Sequence, residues 1–350
     1  MAEHSLKPAT PAPHRGAGPA ATAVRSGAKG AGPVPDAARP TNGQRLARSI
    51  RRHRYAWAMV APVVIVMVGI IGYPLVNGLW LSLTNANERN VAKTIGVNEI
   101  PATYELIGFE NFSDVLTSGV FWDKLLWTLV WTIGCVGAHY LIGLALAVLL
   151  NRRIRGRGIY RVLLIMPWAV PPFVSAFAWR FLYNGDGGLF NAVLTSVGLP
   201  ALDWLSEPGL ARLSVMLVNI WIGIPFMMVA MLGALQSIPG ELYEAAEMDG
   251  TSPWQRFRHV TLPGVRTVSM TVLLLGTVWT FNQFPIIFLV SGGGPGDSTE
   301  ILVTYAYRLA FEGIRNYSVA STWGALILLI LTVYAVIYRR VLRNNGEDVW

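Results

Sequence analysis

Six stretches of about 20 or more residues are almost free of charge, and they decide most of what this chain can fold into. They run over 57–83, 125–150, 159–181, 213–235, 267–290 and 319–338, and none holds Asp, Glu, Lys or Arg near its middle; Arg180 stands at one end of the third. A helix needs about 20 mostly apolar residues to cross a bilayer. Only 14% of the 350 residues are charged, against about 25% in a soluble domain. The expected fold class is therefore an all-α membrane protein with six transmembrane helices.

The charges between the spans predict an orientation. Of 28 Lys and Arg, 21 fall before the first span, between spans two and three (Arg152, Arg153, Arg155, Arg157, Arg161), between four and five (Arg256, Arg258, Arg266) and after the sixth (Arg339, Arg340, Arg343). The positive-inside rule places that side, and both termini, in the cytoplasm. The opposite segments carry most of the acids, among them Glu88, Glu99, Glu105, Glu110, Asp114 and Asp123.

Residues 1–55 differ from all that follows. They are rich in Ala, Gly, Pro and Arg and hold few large apolar side chains. Such a segment cannot bury enough surface to offset its ordering entropy, so it reads as a disordered basic cytoplasmic tail, too long for the n-region of a signal peptide. Its end, with Arg45, Arg48, Arg51, Arg52 and Arg54, suits contact with anionic headgroups or serves only as a topology signal.

The third span contains Pro167, Pro171 and Pro172. Proline removes a backbone donor and crowds the preceding turn, which predicts a kinked or broken helix. Freed backbone groups are tolerated only against protein or a water-filled cavity. The span therefore either lines a pathway or makes a packing kink.

Between the fourth and fifth spans lies a polar segment, residues 239–264, with the composition of a folded knob. Pro239 and Gly240 end the preceding span, and Glu241 to Met248 are good helix formers. Gly250 suits the left-handed position that closes a helix. Ser252-Pro253 reads as N-cap and first residue of a second helix, which Pro263 should stop. Ala245 and Ala246 would let the first helix sit deep in a partner's groove, with Glu244, Glu247 and Asp249 as acceptors for its Lys or Arg. A plain amphipathic loop lying on the membrane is the alternative reading.

Glu244-Ala245-Ala246, Gly250 nearly a turn later, and Val260-Thr261-Leu262-Pro263 nine residues on resemble the "EAA" signature of permease subunits of binding-protein-dependent ABC importers. Gly240-Glu241-Leu242-Tyr243, Trp221-x-Gly223-x-Pro225-Phe226, Gly292-Gly293-Gly294-Pro295-Gly296 and Leu302-Val303-Thr304-Tyr305 are similar to its sugar-importing branch, the maltose- and glycerol-phosphate-type permeases. The resemblance covers residues 57 to 342. It implies a type I ABC importer permease fold in a prokaryotic inner membrane, built into a complex with a second permease, a dimer of ATPase subunits and an extracellular solute-binding protein. It also implies that Glu244, Ala245, Ala246, Asp249, Gly250, Leu262 and Pro263 couple the chain to the ATPase. No cofactor is expected on this chain; ATP and magnesium belong to the ATPase.

An uncharged sugar is recognised by hydrogen bonds and aromatic faces. In maltose-type permeases the fourth and fifth spans line the sugar site, and the resemblance carries that role to Asn219, Gly223, Phe226, Trp279, Thr280, Asn282 and Gln283. Asn219 and Gln283 are the expected hydrogen-bonding pair; polar side chains joining helices are the alternative.

Other features point away from chemistry. Gly292 to Thr299 lacks the lysine of a phosphate loop. The one cysteine, Cys135, and His139 lie in the second span and read as packing residues; one cysteine forms no disulfide within the chain. No metal-ligand spacing or nucleophile–base set is visible, so an enzyme is not expected. The basic residues stand at membrane boundaries, where they suit lipid rather than nucleic acid. An ion-coupled secondary transporter is the remaining alternative, though such coupling generally leaves carboxylates within the membrane and none is evident.

Overall fold

The computed structural model describes residues 54–152 and 155–344. The tail expected over residues 1–55 lies outside the described residues up to residue 53, as does Arg153. The chain divides into two units, Met1–Ile65 and Val66–Trp350. In the first, helix α1 (Arg54–Met67) begins.

Among its described residues, the second unit is built of helices and one two-stranded hairpin. A π-turn at Val68–Gly72 leads to α2 (Tyr73–Leu81). After it come β1 (Lys93–Ile95) and β2 (Asn98–Ile100), then α3 (Glu110–Thr117) and the 33-residue α4 (Gly119–Asn151). The hairpin, two strands of three residues each, is a small addition to the expected helical fold. Its strands pair antiparallel with Ile95 opposite Asn98, and Gly96 turns the corner at φ +65°, as a two-residue hairpin loop requires.

The chain continues through α5 (Arg157–Ala169), α6 (Pro172–Leu182), α7 (Leu189–Ser196) and the 29-residue α8 (Pro208–Gln236). Then follow α9 (Gly240–Met248), α10 (Pro253–Arg256), α11 (Leu262–Gly264), α12 (Arg266–Phe281), α13 (Phe284–Val290), α14 (Leu302–Phe311) and α15 (Tyr317–Asn344). Among the described residues, four helical runs are long and apolar enough to cross a membrane: Tyr55–Leu81, α4, α8 and Tyr317–Arg343. The count reaches six when each of two bent pairs is taken as one span.

Helices α4 and α8 form the scaffold. Lipid is as apolar as a leucine side chain, so such a pair gains from close packing rather than from leaving water. Gly143 makes the approach possible, because a Cβ there would lie 2.7 Å from that of Met227. Glu207 caps α8, accepting from the amides of Gly209 at 3.0 Å and Leu210 at 2.6 Å; those bonds hold its carboxyl below the usual range. Trp127, Trp131, Val215, Val218, Ile286 and Ile287 share one buried cluster. Ala147, Leu150, Met228, Met231, Leu235 and Val265 share another, where α8 runs into the 239–264 segment. The opposite end of the bundle is called the far end below.

Two of the apolar stretches are broken. The third becomes α5 and α6, bent by 95°. Val170 between them is extended, as a residue before proline tends to be, and Pro172 opens α6. The fifth was expected as one span over 267–290 but breaks at Asn282 and Gln283, ahead of Pro285. The carbonyls exposed by that break find side-chain donors: Trp131 Nε1 gives Thr280 O a bond at 2.9 Å, and Asn282 Nδ2 gives one to Val278 O at 3.1 Å.

At the far end the 291–301 segment is tied to three helices. Glu300, 3% exposed, pairs with Lys124 of α4 at 3.0 Å and Arg308 of α14 at 2.9 Å. Arg308 also reaches Asp297 at 2.8 Å. Trp127 donates to Thr299 O at 3.0 Å, and Arg212 of α8 to Ser298 O at 2.7 Å. Burial pushes the Glu300 carboxyl above its ordinary range despite the two cations, which pull it down.

Candidate functional site

The first candidate site is the knob after α8. Helix α9 has no buried residue. It closes through Gly250, at φ +70°, whose amide donates to Glu247 O at 3.0 Å, while Thr251 N reaches Ala246 O at 3.1 Å. This is the left-handed closure that favours glycine. A reciprocal capping box opens α10: Gln255 N donates to Ser252 Oγ at 3.3 Å and Ser252 N to Gln255 Oε1 at 2.7 Å. The two arms are joined by Tyr243 and Thr261 hydroxyls at 3.0 Å and by Arg256 with Glu247 at 3.4 Å.

Glu244, Ala245, Asp249 and Gly250 are exposed and Ala246 half-buried. Three large apolar side chains stand beside them in solvent: Leu242, Trp254 and Met248, the last 89% exposed. One expectation changes here. Pro263 does not stop the second helix, which runs on through a π-turn at Phe257–Thr261 and α11 and pauses only at Val265. Proline is tolerated there because it occupies the first turn of α11. Leu262 packs against the buried cluster beside α8, and Pro263 is exposed.

The second candidate site is a cavity of about 230 Å³ midway along α4 and α8. Asn219, Gly223, Phe226, Trp279, Thr280 and Gln283 all line it. Asn282 does not; its side chain turns back onto the carbonyl of Val278. Gln283 Nε2 donates to Asn219 Oδ1 at 3.4 Å, while the buried Asn219 Nδ2 has no hydrogen-bond partner. The Phe226 ring lies 5.1 Å from that of Trp279 and 6.3 Å from that of Trp168.

Six lining residues fall outside the expected site residues: Ile222, Met227 and Gly276, and also His139, Trp168 and Pro172. The latter two come from the two sides of the α5–α6 break. His139 Nε2 donates at 2.9 Å to the carbonyl of Asn219, and its ring occupies the space a side chain on Gly223 would need. Gly223 is thus the signal for His139, but only once the two helices are seen side by side. Among the described residues no group of three His, Cys, Asp or Glu could hold a metal ion.

Long apolar helices, two broken stretches beside a buried polar cavity, and an exposed two-armed knob define a membrane transport component. The chain belongs to the family of binding-protein-dependent transport system inner membrane components, whose model matches residues 139–345. It is accordingly a multi-pass inner-membrane permease. It is 32% identical over 297 residues to a trehalose/maltose transport system permease protein of Thermococcus litoralis, covering 85% of this chain and 96% of that one. It is 36% identical over 257 residues to a probable ABC transporter permease of Brucella suis, covering 73% and 89%. A maltodextrin transport system permease of Bacillus subtilis is 32% identical over 314 residues, covering 84% and 71%. In fold, the chain matches a subunit of a bacterial ABC transporter that imports alginate, with TM-score 0.72 over 86% of this chain and 99% of that chain at 22% identity.

Proposed function

We propose that this chain is one permease subunit of an ATP-driven carbohydrate importer, crossing the membrane six times with both termini and the 239–264 knob in the cytoplasm. In this reading the knob docks into a cleft of a separate ATPase, and a second permease completes the pathway. A solute-binding protein delivers a sugar, oligosaccharide or polyol at the far end. Relatives named for trehalose, maltose and maltodextrin transport support the substrate class. A structural neighbour solved with a pentasaccharide-bound periplasmic protein supports the partner.

The observation that carries the reading is the knob itself. Its two arms are capped and cross-linked, yet Leu242, Met248 and Trp254 face solvent around Glu244 and Ala245. Apolar side chains held out by ordered backbone suit burial by a partner. Asn219 and Gln283, with the faces of Phe226 and Trp279, would hold the sugar's hydroxyls and ring in the central cavity.

The test is co-purification from detergent-solubilised membranes, comparing the native chain with Glu244→Lys/Gly250→Trp. An ATPase should come with the native chain and be lost from the double variant. Recovery of none with well-folded native protein, together with uptake driven by an ion gradient, would sink the proposal in favour of a secondary transporter.

A further inference from the structure

At the far end of α6 lies a second cavity, of about 520 Å³, more than twice the central one. Small-molecule sites commonly span about 300–1,000 Å³, a range that includes it. Its apolar wall is aromatic: Phe177, Phe181, Tyr183 and Trp204. Asn184, Arg180, Asp203 and Ser206 supply its polar groups.

The wall is held in place from behind. Trp204 Nε1 donates to Asn191 Oδ1 at 2.9 Å, and Asn191 Nδ2 donates to Leu202 O at 3.0 Å and Gly185 O at 3.3 Å. Tyr183 donates to Ser214 O at 3.2 Å, and its ring lies 5.5 Å from that of Trp204. The buried Asn191 thus stitches both sides of the cavity together, which pre-organises the site. The polar groups are far less committed. Arg180 gives one N–H to Leu289 O at 3.4 Å, leaving other donors of its five for a ligand.

We propose that this cavity is an outer carbohydrate subsite, which holds a saccharide before it reaches the central cavity. Aromatic faces match the C–H faces of a sugar ring. A carboxylate accepts from adjacent hydroxyls, while a guanidinium and an amide donate to ring and hydroxyl oxygens. Helix α6 joins the two cavities: Pro172 lines the central one, and Phe177 and Phe181 line the outer. Phe173, Phe177 and Phe181 are exposed and recur every fourth residue, so they share one helix face. From Phe173 to Phe181 that face runs about 12 Å, a path of aromatic rings. The subsite rests on the importer reading for its substrate class and for placing the far end outside the cell.

The chain's one cysteine, Cys135, is buried, so an introduced thiol can be labelled selectively. Ser206→Cys would be placed in the full-length permease within its importer and labelled on intact cells with a membrane-impermeant maleimide. Labelling would be followed with and without maltose, maltotriose, trehalose or an alginate trisaccharide. At about twice its dissociation constant a bound sugar should slow labelling about threefold. Asp203→Ala should abolish that protection, and Val197→Cys, outside the cavity, should show none. Asn184→Cys serves as a second reporter should Ser206→Cys express poorly. No slowing by any of the four saccharides, equal slowing at Val197→Cys, or no labelling from outside would overturn the subsite. Uptake of the same sugars and ATPase co-purification are scored in parallel, so transport without protection refutes the subsite alone.

Discussion

Replacing Gly250 by Ala isolates one quantity, the cost of a left-handed backbone. Gly250 lies at φ +70°, and a Cβ built there meets nothing within 4 Å. Steric crowding therefore contributes nothing. The left-handed conformation alone costs an L-residue about 1–2 kcal/mol. Because α9 buries no residue, that cost falls on the knob and not on the helical core. If the closed knob is the form that docks, its population relative to open forms drops by about 5- to 30-fold, which is the upper bound on the loss of affinity for the ATPase. Asn tolerates the left-handed region better than other non-glycine residues, and a β-branched residue tolerates it least. The expected order is Gly, Asn, Ala, Val, read as sugar transported per ATP in reconstituted importer and as ATPase retained in pull-downs. Thermal unfolding of the permease should stay unchanged across the series. Equal behaviour of Asn and Ala, or a fall in the unfolding temperature that tracks the loss of coupling, would refute the reasoning.

Other expectations concern the cavities and the far end. A methyl on Gly223 would run into the His139 ring, so Gly223→Ala should cost about 1–3 kcal/mol of overpacking. His139→Ala in the same chain should recover most of it, and simple additivity in a thermal double-mutant cycle would rule the contact out. Gln283→Ala and Asn219→Ala should raise the apparent transport KM on the proposed reading, and indifference of both would remove them from the sugar site. Burial raises the Glu300 carboxyl from its ordinary 4.5, so the folded chain binds that proton more tightly than the unfolded chain does. Stability from this group is full below about 4.5 and declines as pH climbs through the raised value. Glu300→Gln should flatten the unfolding temperature against pH in that window, and an unchanged slope would contradict the assignment.

The long helices were legible because crossing a membrane leaves little choice: a run of apolar residues must satisfy its own backbone. The knob was legible because each end is written in local chemistry, Gly250 closing one arm and Ser252-Pro253 opening the other. What failed to show had a different cause in each case. The break at Asn282 and Gln283 lies ahead of Pro285, a local signal that a reading by composition passes over, and Trp131, about 150 residues earlier in the chain, donates to the carbonyl of Thr280 beside it. Composition alone reads 267–290 as one span. The knob's second arm runs past Pro263 to Gly264, after a π-turn at Phe257–Thr261 that no local residue pattern announces. The Lys124–Glu300–Arg308 cluster joins residues from three separated segments, so no local pattern announces it.

The proposed motor contact and the central cavity are connected by short paths. The knob is inserted directly between α8 and α12, and these two helices carry Asn219, Gly223, Phe226, Trp279 and Thr280 to the cavity. Val265, wholly buried, sits where the knob meets α12, and a Cβ on the adjoining Gly264 would lie 2.6 Å from Ile238 at the end of α8. A displacement of the knob therefore has no slack to absorb it at its root. Both broken stretches lie at the other end of that path, with Trp168 and Pro172 on one side of the cavity and Gln283 on the other. Backbone there has already given up its continuous helical ladder, so changing its angle breaks fewer bonds than bending α4 or α8 would. On the importer reading, the unbroken pair is the frame, and α5–α6 and α12–α13 are the parts whose rearrangement opens the cavity to either side. Cysteines introduced at Arg180 and Leu289, where the arginine's guanidinium meets the Leu289 carbonyl at 3.4 Å, and bridged by a bifunctional thiol reagent that spans the arginine's reach, should arrest uptake relative to the same unbridged variant while leaving ATPase binding intact. Full uptake by the cross-linked chain would assign the moving parts elsewhere.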